Sequence, residues 1–437
     1  METQATRPSA GRWYILGLIC LMYLITYLDR VNISTAAPVI SKEFGFDKIT
    51  MGFIFSAFSW AYAAFQVPGG WLGDHFGARR VLTIIVTYWS IMTAATAAAF
   101  SATSFIVVRF LFGVGEAGAF PVATRAMQNW YPKQERGFVQ GITHSASRLG
   151  AAIAPPIVVL IMVPLGWQSV FYICGAVGIV WSLWWHFAYR DLPEQHSLVN
   201  QAELARIRGG DGKGGKPGAR PSVPWGTLLS SPNMWAIMCA YFTYVYCLWI
   251  FLSWLPSYLV DARGFTLLKV GFLGSLPLWA GVVGDTVGGL ATDWLMAKSG
   301  NIKFSRRVVA IVGMLGCALF IVPAAYTDDA YTAVYCLTGA MFFLECTIGP
   351  SWAVPMDMGG EHSGTVSGMM NMAGNIGGAL SPIVFGVLAQ FVSWQAPFFV
   401  AASLLVIGSA IWAFWLDPSV SVVEKRDLPG QAPSPAE

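Results

Sequence analysis

A chain of 437 residues that is 55% hydrophobic and only 11% charged lies far from soluble domains, in which about 25% of residues are charged. With a mean hydropathy of +0.57 it reads as an integral membrane protein, and a net charge of +3 gives no support for nucleic-acid binding. The seven cysteines all fall inside apolar runs with no C-x-x-C spacing, so neither a metal site nor a disulfide framework is expected, and no cofactor motif is present.

Twelve apolar runs close to the length that crosses about 30 Å of hydrocarbon are predicted at 13–35, 50–72, 80–100, 103–126, 138–163, 167–189, 233–260, 268–292, 307–326, 330–354, 363–391 and 394–416. The first is long, is interrupted by Asp29-Arg30 and is followed by eleven more, so it is a span and not a cleaved signal. With the N-terminus in the cytoplasm, 18 of the 26 Lys and Arg fall in cytoplasmic loops and tails, four lie outside and four within spans. Both termini are therefore expected in the cytoplasm, in a bacterial inner membrane.

Span one carries Asp29 and Arg30 about 24 Å from its inner end at 1.5 Å per residue. Span four holds Arg109-Phe110-Leu111-Phe112-Gly113-Val114-Gly115-Glu116-Ala117-Gly118. Arg109 and Glu116 are two turns apart and share a face. Charge at that depth is costly, so the face looks into the protein, and its glycines allow close helix approach. Span five carries Arg148 near the depth of Glu116, and Ser147, His144 and Gln140 are substrate-contact candidates from their position there. These depths place Asp29, Arg30 and Arg109 in one charge cluster and Glu116 with Arg148 in a second just inside it. Three arginines against two carboxylates leave one anion missing, which a substrate carboxylate would supply through the planar fork of Arg. Burial favours a neutral carboxyl and a neighbouring Arg a charged one, so substrate capture by Arg30 and Arg109 would release Asp29 or Glu116 to take a proton. The bland alternative is that these are ion pairs fixing helix packing. Arg148 either pairs with Glu116 or holds a second carboxylate, which would favour diacids.

The polar stretch 190–232, Gly-rich at 209–218, is expected to be a cytoplasmic linker between an N-terminal bundle at 1–189 and a C-terminal bundle at 233–416, with a tail at 417–437. Within it, 201–208 reads equally as a surface helix or a solvated strand of linker. Span seven brings Tyr241, Tyr244, Tyr246, Trp249, Trp254 and Pro256, either walls of a substrate site or an aromatic belt. Asp285 in span eight is a gate candidate, Glu345 in span ten is a third buried acid without an assigned role, and Asn371 and Asn375 face inward from span eleven.

The halves repeat. Gly70-Trp71-Leu72-Gly73-Asp74 corresponds to Gly289-Leu290-Ala291-Thr292-Asp293, and the run Arg148 to Pro155 to the run Asn375 to Pro382. Transporter folds are commonly built from such repeats, with the substrate between them.

The run Gly70 to Arg80, GWLGDHFGARR, resembles the loop between helices two and three of the major facilitator superfamily, roughly G-x-x-x-D-R-x-G-R-R. His75 stands in place of the usual first Arg, while Gly70, Asp74, Gly77, Arg79 and Arg80 match. The resemblance implies an all-α fold of twelve transmembrane helices in two pseudo-symmetric six-helix bundles. It also implies a gating role for this loop and for Asp293, with Asp74 pairing to neighbouring basic groups. Further likeness lies in Tyr27-Leu28-Asp29-Arg30-Val31-Asn32, in Arg109 with Gly113-Val114-Gly115-Glu116-Ala117, in Trp254-Leu255-Pro256, and in Asn371 to Pro382. On these residues the chain is similar to the anion:cation symporters, which carry sugar acids, phthalate, sialic acid, glutamate or phosphate. That resemblance implies proton symport of an organic anion, with Asp29 and Glu116 coupling and with Tyr27 and Tyr62 touching substrate beside Arg30 and Arg109.

The expected partners are a small organic anion, protons and the lipid bilayer, with the monomer as functional unit. An exchanger or exporter of the same fold, or a membrane sensor that does not transport, are the alternatives. No H-E-x-x-H, G-x-S-x-G or P-loop supports a hydrolase or a nucleotide-driven pump.

Overall fold

The computed structural model describes residues 8–132, 135–208 and 225–422. Where water is absent, backbone groups must find partners within their own segment, and the chain meets this with helices. Ten are long and apolar enough to cross a membrane: α1 (Gly11–Phe44), α4 (Ala102–Trp130), α5 (Phe138–Leu165), α6 (Trp167–Ala188), α7 (Pro232–Ser253), α8 (Leu267–Ser299), α9 (Ile302–Tyr326), α10 (Ala330–Gly359), α11 (Ser363–Phe391) and α12 (Ala396–Trp415). Between α1 and α4 lie α2 (Lys48–Phe76) and α3 (Ala78–Thr96). Side-chain caps mark where several begin: Asp47 accepts from Thr50 N, Ser101 from Ser104 N, Asn301 from Phe304 N and Asp329 from Thr332 N.

The packing repeats with the sequence. In the first six helices α1 packs on α5, α2 on α4, and α3 on α6; in the last six α7 packs on α11, α8 on α10, and α9 on α12. Between the sets, α2 meets α11 and α5 meets α8, again as matched pairs. The repeat around Arg148 and Asn375 has a steric reason. A Cβ on Gly150 would lie 2.4 Å from the Leu24 carbonyl oxygen of α1, and one on Gly377 would lie 2.7 Å from that of Phe242 in α7. Glycine at both places lets α5 and α11 cross their partners in contact.

Besides α8, where regular helix breaks at Gly274, two matched helices are interrupted. In α4 regular helix stops at Glu116 and resumes at Ala119, and in α10 it stops at Cys346 and resumes at Ile348.

The α1–α2 turn marks the end at which the two sets are tied together. Ser56 donates to the Ala379 carbonyl at 2.6 Å, Lys48 Nζ to the Ala389 carbonyl at 2.9 Å, and Ile49 N to Gln390 Oε1 at 3.2 Å. At the other end, basic groups bond inside their own set: Arg79 Nε to the His186 carbonyl, Arg306 to Asp293 and Asp357, and Arg307 to the Leu416 carbonyl.

The 201–208 stretch is a helix, Gln201–Arg208. It is docked on the first six helices, with Glu203 buried and accepting from the backbone amides of Gly11 (3.1 Å) and Arg12 (3.0 Å). Ala10 has no side chain with which to cap α1, and Glu203 takes that role from afar. The Gly-rich centre of the expected linker, 209–218, lies outside the described residues.

Candidate functional site

Arg30 leaves α1 and pairs through Nε with Glu116 Oε1. The Glu116 side chain is fully buried. Four rings enclose the guanidinium, their centroids 4.7 Å (Tyr27), 4.6 Å (Tyr62), 5.2 Å (Phe58) and 5.6 Å (Phe120) from Cζ. The ring quadrupoles stabilise a cation that the apolar surroundings would otherwise penalise. Neither Phe58 nor Phe120 carries a charge or motif that marks it in the sequence. Phe58 nonetheless lies one turn before Tyr62 on the same face of α2, and Phe120 four residues after Glu116, across the interruption of α4.

Asp29 and Arg109 lie behind this box, inside the first six helices. Asp29 is wholly buried beside Trp89 and Thr93 of α3, whose side-chain donors face its carboxylate. Arg109 interacts electrostatically with both Glu116 and Asp29, and its Cζ stands 4.6 Å from the Phe112 ring centroid.

Arg148 reaches the opposite way, across to the last six helices. Its Nη2 lies 3.1 Å from Glu345 Oε2 of α10 and 3.4 Å from the Tyr244 hydroxyl of α7, and that hydroxyl donates to the same Glu345 oxygen at 3.1 Å. The expected grouping of Glu116 with Arg148 is therefore corrected: Glu116 belongs to Arg30, and Arg148 belongs to Glu345. Depth along an axis ranks the helix backbones, whereas a long Arg side chain covers a turn or more and chooses its partner by the face it leaves from. The expected surplus of positive charge is corrected with it. Arg30, Arg109 and Arg148 face Asp29, Glu116 and Glu345, so the third carboxylate comes from the protein.

Other candidates divide. Asn371 Nδ2 donates to Gln66 Oε1 at 3.3 Å, joining α11 to α2, and Asn375 donates back to the Asn371 carbonyl. The Ser147 hydroxyl is buried and donates to the His144 carbonyl of its own helix at 2.6 Å. His144 packs against the rings of Tyr23, Phe120 and Trp352.

In the loop after α2, Gly77 has φ +80°, and a Cβ there would meet the Asp191 carboxylate at 2.8 Å, so glycine is required on both counts. Gly70 lies against Pro121, with a built Cβ 3.2 Å from its ring, directly beside the interruption in α4. The Arg79 backbone amide donates to Asp191 and its Nε to the His186 carbonyl, Arg80 is exposed, and Asp293 is exposed with Arg306 at 3.4 Å. The side chain of Asp74 lies outside the described residues.

Residues 19–382 and 303–435 match the family model of the Major Facilitator Superfamily. The chain belongs to that superfamily. It is 43% identical to a probable sulfoacetate transporter of Cupriavidus necator over 96% of this chain and 97% of that protein. It is 35% identical to a probable galactarate/D-glucarate transporter of Escherichia coli K12, over 86% and 87% of the two chains. It is 32% identical to a D-galactonate transporter of Escherichia coli O6:H1, over 94% and 96%. In fold it is similar to the crystal structure of a bacterial homologue of the human lysosomal transporter Spinster, inward-facing and unoccupied, with TM-score 0.76 and 18% identity over 92% of this chain and 96% of that one. This superfamily member is thus a multi-pass membrane transporter and not an enzyme, and these curated relatives carry organic anions.

Proposed function

We propose that this chain is a proton-coupled symporter that takes up an organic anion by alternating access of its two six-helix halves. The carrying observation is the Arg30–Glu116 pair, buried within a box of Tyr27, Phe58, Tyr62 and Phe120. An anionic group entering the box takes Arg30 from Glu116, and the released carboxylate is then best neutralised by a proton. Arg109 and Asp29 form the relay behind it, with Arg109 holding the field that draws the anion and Asp29 serving as the second coupling acid. Asn371 and Asn375 supply polar contacts from the facing half.

Placing both termini in the cytoplasm of a bacterial cell, with one copy as the working unit, makes the tied α1–α2 end the outer one. The arrangement is then inward-facing, with Gly70, Asp74, Gly77, Arg79, Arg80 and Asp293 at the parted inner end. The relatives' names put sulfoacetate first among candidate substrates, followed by sugar acids.

The test is proton uptake by protein reconstituted in vesicles and challenged with sulfoacetate, acetate, glucarate, gluconate, galactonate and phthalate, with Arg109→Ala and Arg30→Ala as controls. A response to at least one anion, lost in both controls, supports symport. Anion flux with no accompanying proton would overturn it in favour of exchange.

A further inference from the structure

Glu345 stands in α10 where Glu116 stands in α4. Each acid comes just before the interruption of its helix, and each is followed five residues later by proline, Pro121 after Glu116 and Pro350 after Glu345. Interrupted helices in corresponding positions of two repeats are where transporters place their ligands. Each acid also holds one arginine: Glu116 holds Arg30, and Glu345 holds Arg148 from the other half. Both arginines lie against one ring, with the Cζ atoms of Arg30 and Arg148 4.7 and 5.9 Å from the Tyr27 centroid, so they are no farther apart than the sum of those distances.

We propose that Arg148 is a second anion subsite that Glu345 fills in the empty protein, and that the transported substrate is a short organic dianion whose far group displaces Glu345 while its near group takes Arg30. The inference deepens the anion-carrier reading and rests on it. Only one Glu345 oxygen is bonded; Oε1 is buried without a hydrogen-bond partner among the described residues. The acid thus makes fewer bonds to Arg148 than a bidentate carboxylate or a sulfonate would. Once displaced, Glu345 would keep the Tyr244 hydroxyl alone in a fully buried position, which a charged carboxylate tolerates poorly. It therefore leaves the pair by taking one proton from water. The other titratable or charged groups that face it are Arg148 of α5, Tyr241 and Tyr244 of α7, and Asp285 of α8, with Cys346 adjacent.

The experiment measures binding of two matched pairs, sulfoacetate against acetate and glucarate against gluconate, to purified full-length protein. Protons taken up are counted with a pH-sensitive dye in weak buffer. Wild type should bind each dianion with one more proton than its single-charge partner. Glu345→Gln should abolish that extra proton and tighten dianion binding severalfold, leaving the single-charge anions unchanged. Arg148→Gln should weaken the dianions on the order of 10- to 100-fold and the single-charge anions little. Single-charge binding reports folding of each variant. Equal losses for both members of a pair, or an extra proton that survives in Glu345→Gln, would overturn the second subsite while leaving the anion-carrier reading intact. If wild type binds none of the four, the dianion subsite falls, and the carrier reading falls with it only if galactonate and phthalate also give no proton uptake.

Discussion

Tyr27 is the residue on which two cations meet, and its ring is what they share. Cation–ring attraction is worth roughly 0.5–2 kcal/mol per contact depending on desolvation. Tyr27→Phe should therefore leave the anion KM within about threefold, whereas Tyr27→Leu should raise it about tenfold or more, as measured by radiolabelled uptake. Asp29 is a different case, because it is wholly buried and its α3 neighbours Trp89 and Thr93 carry no charge. Asp29→Asn should preserve anion exchange and lose accumulation driven by a proton gradient; unchanged proton dependence would remove Asp29 from the coupling path. Arg30, Arg109 and Glu116 stood out in the sequence because a charge inside an apolar run has few uses. Which of them pair did not, since pairing depends on which face each long side chain leaves from. Glu345 had a legible signal in the shared E-x-x-x-x-P spacing, which becomes meaningful once both helices are seen to break there.

Among the elements, the crossings of α5 over α1 and α11 over α7 depend on Gly150 and Gly377, where a side chain has no room. Gly150→Val should yield little monodisperse protein by fluorescence-detected size exclusion, whereas Gly141→Ala on the same helix, where a Cβ meets nothing within 4 Å, should express normally. Glu203 caps a helix that begins almost two hundred residues earlier in the chain. Glu203→Ala should cost on the order of 1–2 kcal/mol, seen as a lower thermal midpoint in detergent. Span positions were readable from apolar length, and the repeat was readable from matched glycine-proline runs. The docking of the 201–208 helix was not, because eight residues carry too little periodicity to show which face is covered.

At the scale of the whole molecule, one end is tied and the other has its charges satisfied half by half. The tie is tight at Gly52, where a Cβ would lie 2.6 Å from the Pro382 carbonyl oxygen. Gly52→Leu should hold α2 away from α11 and shift the population toward the state open at the α1–α2 end. Spin-label distances between α2 and α11 would lengthen at that end, and an unchanged distribution would refute the assignment. The twofold plan was visible in the sequence. The state was not, because both arrangements use the same helices and differ in which contacts are made.

Each end of the described chain is stapled to its own half. Ser9, Gly11 and Arg12 are bound by Asn200, Glu203 and Glu135, while Asp417 is held by Asn233 and Lys303, and Val422 by the Met358 carbonyl. On the alternating-access reading proposed above, residues 9–12 and 417–422 are handles, each attached to one half. A donor fluorophore at Pro8 and an acceptor at Val422 of the full chain would turn the carrier into its own angle gauge, reporting a rocking step as a change in energy transfer with no label placed in the membrane.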